Sequence, residues 1–526
     1  MKYVNPVVRG FYPDPSVCEA NGKFYLVNST FQYFPGMPVF ESEDLIHWKQ
    51  INHCLTRKSQ LDLTGVYASG GIFAPTIRYN KGRFYVVVTD TTGRGNFYVY
   101  TDDIYDEWSE PIKVERDGID PSLLFDGDKT YFISNGEDDF GEGGISCCEI
   151  DIASGKKLSK AKCISKGCGG RYLEGPHLYK INNYYYLMCA EGGTEYGHME
   201  CLLRSKEVFG PYEKCPGNPI LTNRNLGGYA VQGSGHADIV QANDGQWWMV
   251  HLAFRQIGRW PQFHNLGRET FLEPIYWTDD GWFTVGADGT SRSAFEVADG
   301  KCTILPEPEY PEFKWRLDTS RACYMRLPAY QNYTFGPDEK SVADMAVVAE
   351  KNSRNQNVRD TKATVVSECT LTGTSAKLTS KDNVTFIGMR QEEFNGTMEV
   401  TVNSKTLFAG QKAGITAYMD ENDHYDVRVT KTESGCIIGG HFVVGGKDYC
   451  DKGVVCSKEL VTLKIEAHNE FYALFAKDDS GKFIALGEGH SKYLASEVTE
   501  GFTGTVLALF VEANKSGDSG KVKFSW

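Results

Sequence analysis

Five stretches of the sequence repeat one pattern, and an internal repeat restricts a chain to folds that array one supersecondary unit. They are DPSVCEANGKFYLVNS from Asp14, APTIRYNKGRFYVVVT from Ala74, DPSLLFDGDKTYFISN from Asp120, EGPHLYKINNYYYLMCA from Glu174 and GHADIVQANDGQWWMVHLA from Gly235. Each opens on a small or acidic motif, runs through a short apolar strand, crosses a Gly/Asn/Asp turn and ends in an aromatic, β-rich strand. Turn pairs such as Asn21-Gly22, Lys81-Gly82 and Asp244-Gly245 between alternating apolar residues are a hairpin signature. The starts lie 60, 46, 54 and 61 residues apart, which leaves space for two more strands per unit. Ser42–Trp48 and Thr101–Trp108 are read as matching outer elements. Four-stranded blades around an axis follow, a five-bladed β-propeller over residues 1–305.

At 306–313 the text changes to PEPEYPEF, which breaks sheet pairing and reads as a linker. The repeat does not recur beyond it. Thr397–Val402, Tyr425–Val429 and Val461–Ile465 alternate apolar and polar residues with period two, which predicts a C-terminal β-sandwich over 306–526 and an all-β chain. At 526 residues the chain exceeds what one core supports, and its 41% hydrophobic content predicts extensive cores. A net charge of −14 argues against nucleic acid, whose phosphates call for clustered Lys and Arg. No apolar run reaches the ~18 residues of a membrane helix, and the opening residues lack a signal peptide's apolar stretch. The 15 cysteines contain no CxxC and suggest neither a disulfide framework nor a zinc site, so reduced thiols and a cytoplasmic, soluble protein are expected. Monomer and homo-oligomer both remain open.

Inner strands lie nearest a propeller's axis, so the repeat openings should converge on one rim. Asp14, Asp120 and Glu174 would then share a pocket. A single Asp-Pro is most simply a turn initiator, but three acidic openings in one repeat family place mutually repelling carboxylates together. Two carboxylates across a pocket suit glycosidic cleavage, one protonating the leaving oxygen and the other activating water. A third, ionised beside the acid, would raise that acid's pKa.

These residues resemble glycoside hydrolase family 43, particularly its two-domain xylosidases and arabinofuranosidases. The likeness rests on Gly10–Ser16, Ser29–Gly36, Ser69–Pro75, Gly118–Ser122, Glu174–His177, Gly192–Thr194, Gly235–Asp238 and Leu266–Thr270. It implies inversion, with Asp14 as general base, Glu174 as general acid and Asp120 as pKa modulator. It further implies a substrate-contacting Arg268, apolar pocket walls from Phe31 and Phe73, and a hydroxyl contact from Thr194. His236 corresponds to a position linked to an axial ion, so a structural calcium held mostly through water is expected there; the chemistry itself requires no cofactor. Gly501–Gly504 resembles a segment of the second domain that closes the pocket, making Phe502 the closing aromatic. Arg390-Gln391 is similar to an Arg-Gln motif of that domain. The expected substrates are xylo- or arabino-oligosaccharides attacked from a chain end. A noncatalytic carbohydrate-binding propeller is the alternative, and it would have no need of Glu174 or Asp120. A fructan-cleaving enzyme would show Asn-Asp-Pro-Asn where this chain has Tyr12-Pro13-Asp14-Pro15.

Overall fold

The computed structural model describes residues 1–336, 340–341, 365–450 and 453–526. Strands dominate. The described helices are the four-residue Ser496–Thr499 and two short 3-10 turns.

Each of the five repeats forms a four-stranded antiparallel sheet of consecutive strands, apart from the two-residue Tyr33–Phe34, which leaves the first. The first strands are Ser16–Ala20, Thr76–Asn80, Ile119–Asp126, Glu174–Ile181 and Val231–Gln241. Their contacts run first to second, second to third, third to fourth, fourth to fifth and fifth back to first, so the series closes. Asn21-Gly22 and Lys81-Gly82 both have two successive positive φ angles, the backbone that lets a two-residue turn match the strand twist. Ser42–Trp48 and Thr101–Trp108 differ from expectation. They are turns in which the Asp44 carboxylate accepts the Ile46 and His47 amides and Asp103 accepts that of Tyr105, while Leu45, Ile104 and Trp108 are buried beneath. Side-chain acceptors beside backbone amides compete with a ladder and win.

The first strands are also joined by a polar core. The Asp238 carboxylate accepts from Ser16 Oγ, from the Val17 amide at 3.1 Å, from Arg78 Nη1 at 2.7 Å and from Tyr179 OH, linking four of the first strands. Thr76 Oγ1 donates to the Pro121 carbonyl at 2.8 Å and brings in the third strand.

Residues 305–312 carry no strand. Beyond them two large sheets face one another over a core that includes Val400, Leu463, Tyr472, Ile415 and Leu509. The alternating segments predicted as strands fall within Gly396–Asn403, His424–Thr432 and Leu460–Ala467, and Val400 stands opposite Leu463. One sheet is not confined to the C-terminal half, because Tyr33–Phe34 pairs with Cys323–Met325 at its edge. Arg255 strengthens the join. Buried, it pairs with Glu269 at 2.7 Å and with Glu393 at 2.6 Å, and Arg9 reaches Glu393 at 2.9 Å.

Candidate active site

At the opening motifs of four of the five repeats the backbone is kinked. Asp14, Asp120, Gly175 and His236 have φ of 52°, 53°, 56° and 51°, and the ladders slip register beside the last three. A left-handed residue at a bulge re-aims its side chain, and for residues other than glycine it costs of order 1–3 kcal/mol. This geometry shifts the fourth and fifth repeats by one position. Gly175 and His236, rather than Glu174 and Gly235, correspond to Asp14 and Asp120, and Glu174 enters the pocket from the residue before the kink. The Gly175 position explains its residue type, since a Cβ there would lie 3.1 Å from the His236 ring.

Asp14 is buried and fully engaged. Ser29 Oγ donates to one oxygen and Arg268 Nη1 lies 3.0 Å from the other. Burial alone would raise its pKa, but the Arg268 charge, followed by His236 and the Ser29 hydrogen bond, holds it below the usual carboxylate value. Asn28 Nδ2 grips the Tyr12 and Pro13 carbonyls just ahead of it, each at 3.0 Å.

Asp120 accepts the Gly175 amide at 3.1 Å, which joins it to the residue after Glu174. Its pKa is pushed up to about 7, first by burial and then by the charges of Glu174 and Asp14, against a lowering by His236. Asp120 is buried, whereas the Glu174 side chain is 20% exposed.

Arg268 connects the remaining predicted residues. Besides Asp14 it donates to Thr194 Oγ1 at 2.8 Å and to the Phe502 carbonyl at 3.2 Å, and it lies over the Phe31 and Phe502 rings at 5.8 and 5.6 Å. Phe31, Phe73 and Phe502 form a mutual aromatic cluster with centroids 5.4–6.1 Å apart. Phe502 is 37% exposed and lies next to the wall rather than in a core. Its segment can come this close because residue 504 is glycine. A Cβ there would fall 2.2 Å from the Leu266 carbonyl oxygen.

Arg268 thus ties Asp14 to Thr194 and Phe502, the three phenylalanines pack on one another, and the charges of Asp14, Glu174 and His236 all act on Asp120. Calcium is a different matter. Among the described residues, His236 belongs to no group of three His, Cys, Asp or Glu side chains able to share an ion. A calcium there would have one imidazole nitrogen and otherwise draw on solvent oxygens, so no step is routed through it.

Two features escaped the sequence. His198 is fully buried with Nε2 3.5 Å from Glu174 Oε1 and Nδ1 3.0 Å from the Gly233 carbonyl, which fixes the orientation of the ring beside the carboxylate. It lies in no repeat motif, and nothing in the local text marks it. The second is the Arg78–Asp238 pair beneath the site, where Asp238 is part of the fifth repeat's opening motif.

The arrangement can hold one carboxylate ionised near a second that binds a proton, beside aromatic side chains, which suits acid–base hydrolysis. The sequence profile of Glycosyl hydrolases family 43 matches residues 3–283, and that of the Beta xylosidase C-terminal Concanavalin A-like domain matches 365–526. The chain is 35% identical over 533 residues to the non-reducing end alpha-L-arabinofuranosidase BoGH43B of Bacteroides ovatus, covering 99% of this chain and 93% of that one. It is 34% identical over 531 residues to a xylosidase/arabinosidase of Butyrivibrio fibrisolvens, covering 98% and 97%. A solved structure described as Bacteroides ovatus Xyloglucan PUL GH43B superposes with a TM-score of 0.84 at 34% identity, covering 100% and 98%. With this site and these matches over both halves, the chain belongs to glycosyl hydrolase family 43 and is a glycoside hydrolase.

Proposed function

We propose that the protein is an exo-acting, inverting hydrolase that releases terminal β-xylosyl or α-L-arabinofuranosyl residues from plant-derived oligosaccharides. The observation that carries this reading is the gathering of Asp14, which Arg268 holds ionised, with Asp120, on which the charges of both Asp14 and Glu174 act. Asp14 takes a proton from water as that water attacks the anomeric carbon. Glu174 gives its proton to the departing glycosidic oxygen, and Asp120 raises the affinity of the acid pair for that proton. The two actors come from the first and fourth sheets, which are not neighbours in the closed series; this supports the ~6.5–9.5 Å separation that leaves room for water in inversion.

Residues 1–305 are read as a five-bladed β-propeller, on the closed contact series, and 306–526 as a sandwich domain that helps close its pocket. Phe502 and the buried floor support a blind pocket that admits a chain end. Relatives named for arabinofuranosidase and xylosidase activity support both pentosides.

The test is to follow hydrolysis of an aryl β-xyloside and an aryl α-L-arabinofuranoside by proton NMR. The first sugar released should have the opposite anomeric configuration to the substrate. Asp14→Asn and Glu174→Gln should each lower turnover on an unactivated oligosaccharide by about 100-fold or more with the fold retained. Retained configuration, or near-wild-type turnover in either variant, would sink the assignment. A carbohydrate-binding protein without activity would bind the sugars and release nothing.

A further inference from the structure

The fourth sheet carries a second cluster of reactive side chains that the hydrolysis does not use. Cys168, Glu191 and Cys201 stand 23 and 10 positions apart in the sequence, and their ligand atoms all lie within 4.8 Å of one another. Glu191 ends one strand, Cys201 lies on the next, and Cys168 comes from the loop that covers them. We propose that these three side chains form a binding site for a thiophilic divalent cation of the zinc type.

The donor chemistry fits. Two sulfurs and one carboxylate oxygen are what zinc takes, in a tetrahedron with ligand bonds of about 2.0–2.3 Å. A small inward movement of three atoms already within 4.8 Å would complete it. The outer partners are also in place, as metal ligands require. Both oxygens of Glu191 accept backbone amides, those of Cys168 and Gly170, so the carboxylate is oriented while each oxygen keeps a free lone pair. Asn218 Nδ2 lies 3.2 Å from Cys168 Sγ and would stabilise a thiolate there. Glu191 and Cys201 are buried, while the neighbouring Gly169 and Gly170 are exposed, which gives an entry path and a fourth position for water. On binding, the two thiols release their protons to solvent, and two thiolates and one carboxylate around the dication leave a net charge of −1. Nothing is oxidised.

The site's position gives it consequence. Its loop runs from Cys168 to Glu174, and three residues after Glu191 comes Thr194, the partner of Arg268. An ion here would fasten both segments at the pocket rim.

The test is titration of the full-length, metal-stripped protein with Co²⁺ under a non-thiol reductant, which keeps a Cys168–Cys201 disulfide from forming. A sulfur-to-cobalt charge-transfer band should saturate at one equivalent and disappear on adding Zn²⁺. Cys168→Ser and Cys201→Ser should each abolish or displace the band, and Glu191→Gln should weaken affinity by about 10-fold or more. Circular dichroism establishes that each variant is folded, and Zn²⁺ should raise the wild-type melting temperature. Absence of the band in the reduced wild type, or an unchanged band in the folded Cys168→Ser/Cys201→Ser double variant, would overturn the proposal.

Discussion

Asp120 shows how burial and neighbouring charge set a residue's task. Its folded carboxyl releases its proton near pH 7 rather than at the ordinary 3.8. The folded state thus binds that proton more tightly than the unfolded chain, so its contribution to stability is complete below about pH 4 and is lost as pH rises through 7. Asn cannot ionise, so Asp120→Asn should remove this decline and melt at a higher temperature than wild type at pH 8. The same change removes the charge that opposes deprotonation of Glu174, so the alkaline limb of the rate profile should move to lower pH as activity falls. A limb that stays in place would show that Asp120 only orients its neighbours. The three acidic residues were legible in the sequence because repeat openings mark them. That burial raises the Asp120 pKa was not, since how much water a carboxyl loses is set by tertiary packing.

At the scale of the element, the kinked strand openings carry the site. A left-handed residue followed by a strand aims a side chain at the pocket, and Gly175 keeps the fourth opening clear for the His236 ring. Gly175→Ala should lower stability by about 1–2 kcal/mol from backbone handedness alone. It should also reduce kcat more than it changes KM, because Glu174 and the amide that Asp120 accepts are displaced together. Unfolding curves and steady-state kinetics on one preparation check both; unchanged kcat would mean that the kink tolerates a side chain. The strands and their turns were readable from alternation and Asn-Gly pairs. The one-residue offset of the fourth and fifth openings was not, because a bulge leaves the same letters in the same order.

In the whole molecule, the C-terminal half meets the candidate site through Phe502 and the join through Glu393. Phe502 holds Arg268 with its carbonyl, a contact that survives loss of the ring. Phe502→Ala should therefore raise KM for chain-end substrates with little change in melting temperature; a large drop in melting temperature with KM unchanged would instead make it a core residue. Arg255→Met leaves Glu269 and Glu393 buried without their shared cation, with Arg9 alone on Glu393. Removing one partner of a buried pair costs about 3–5 kcal/mol, so denaturant unfolding of this variant should begin at clearly lower concentration. An unchanged transition would show that the join rests on apolar contact and sheet pairing.

The sequence by itself determined the all-β class, the five repeats, the change of pattern near residue 305 and the acidic and aromatic residues of the site, since each is written as a local period or a motif recurring at equivalent places. Only the tertiary structure decided that Tyr33–Phe34 pairs with the C-terminal sheet, that His198 stands beside Glu174, that Arg268 links Asp14, Thr194 and Phe502, and that Cys168 meets Glu191 and Cys201. These contacts join residues from tens to hundreds of positions apart. What brings them together is the closing of sheets on one another, and local periodicity carries no record of which distant side chains that closure makes neighbours.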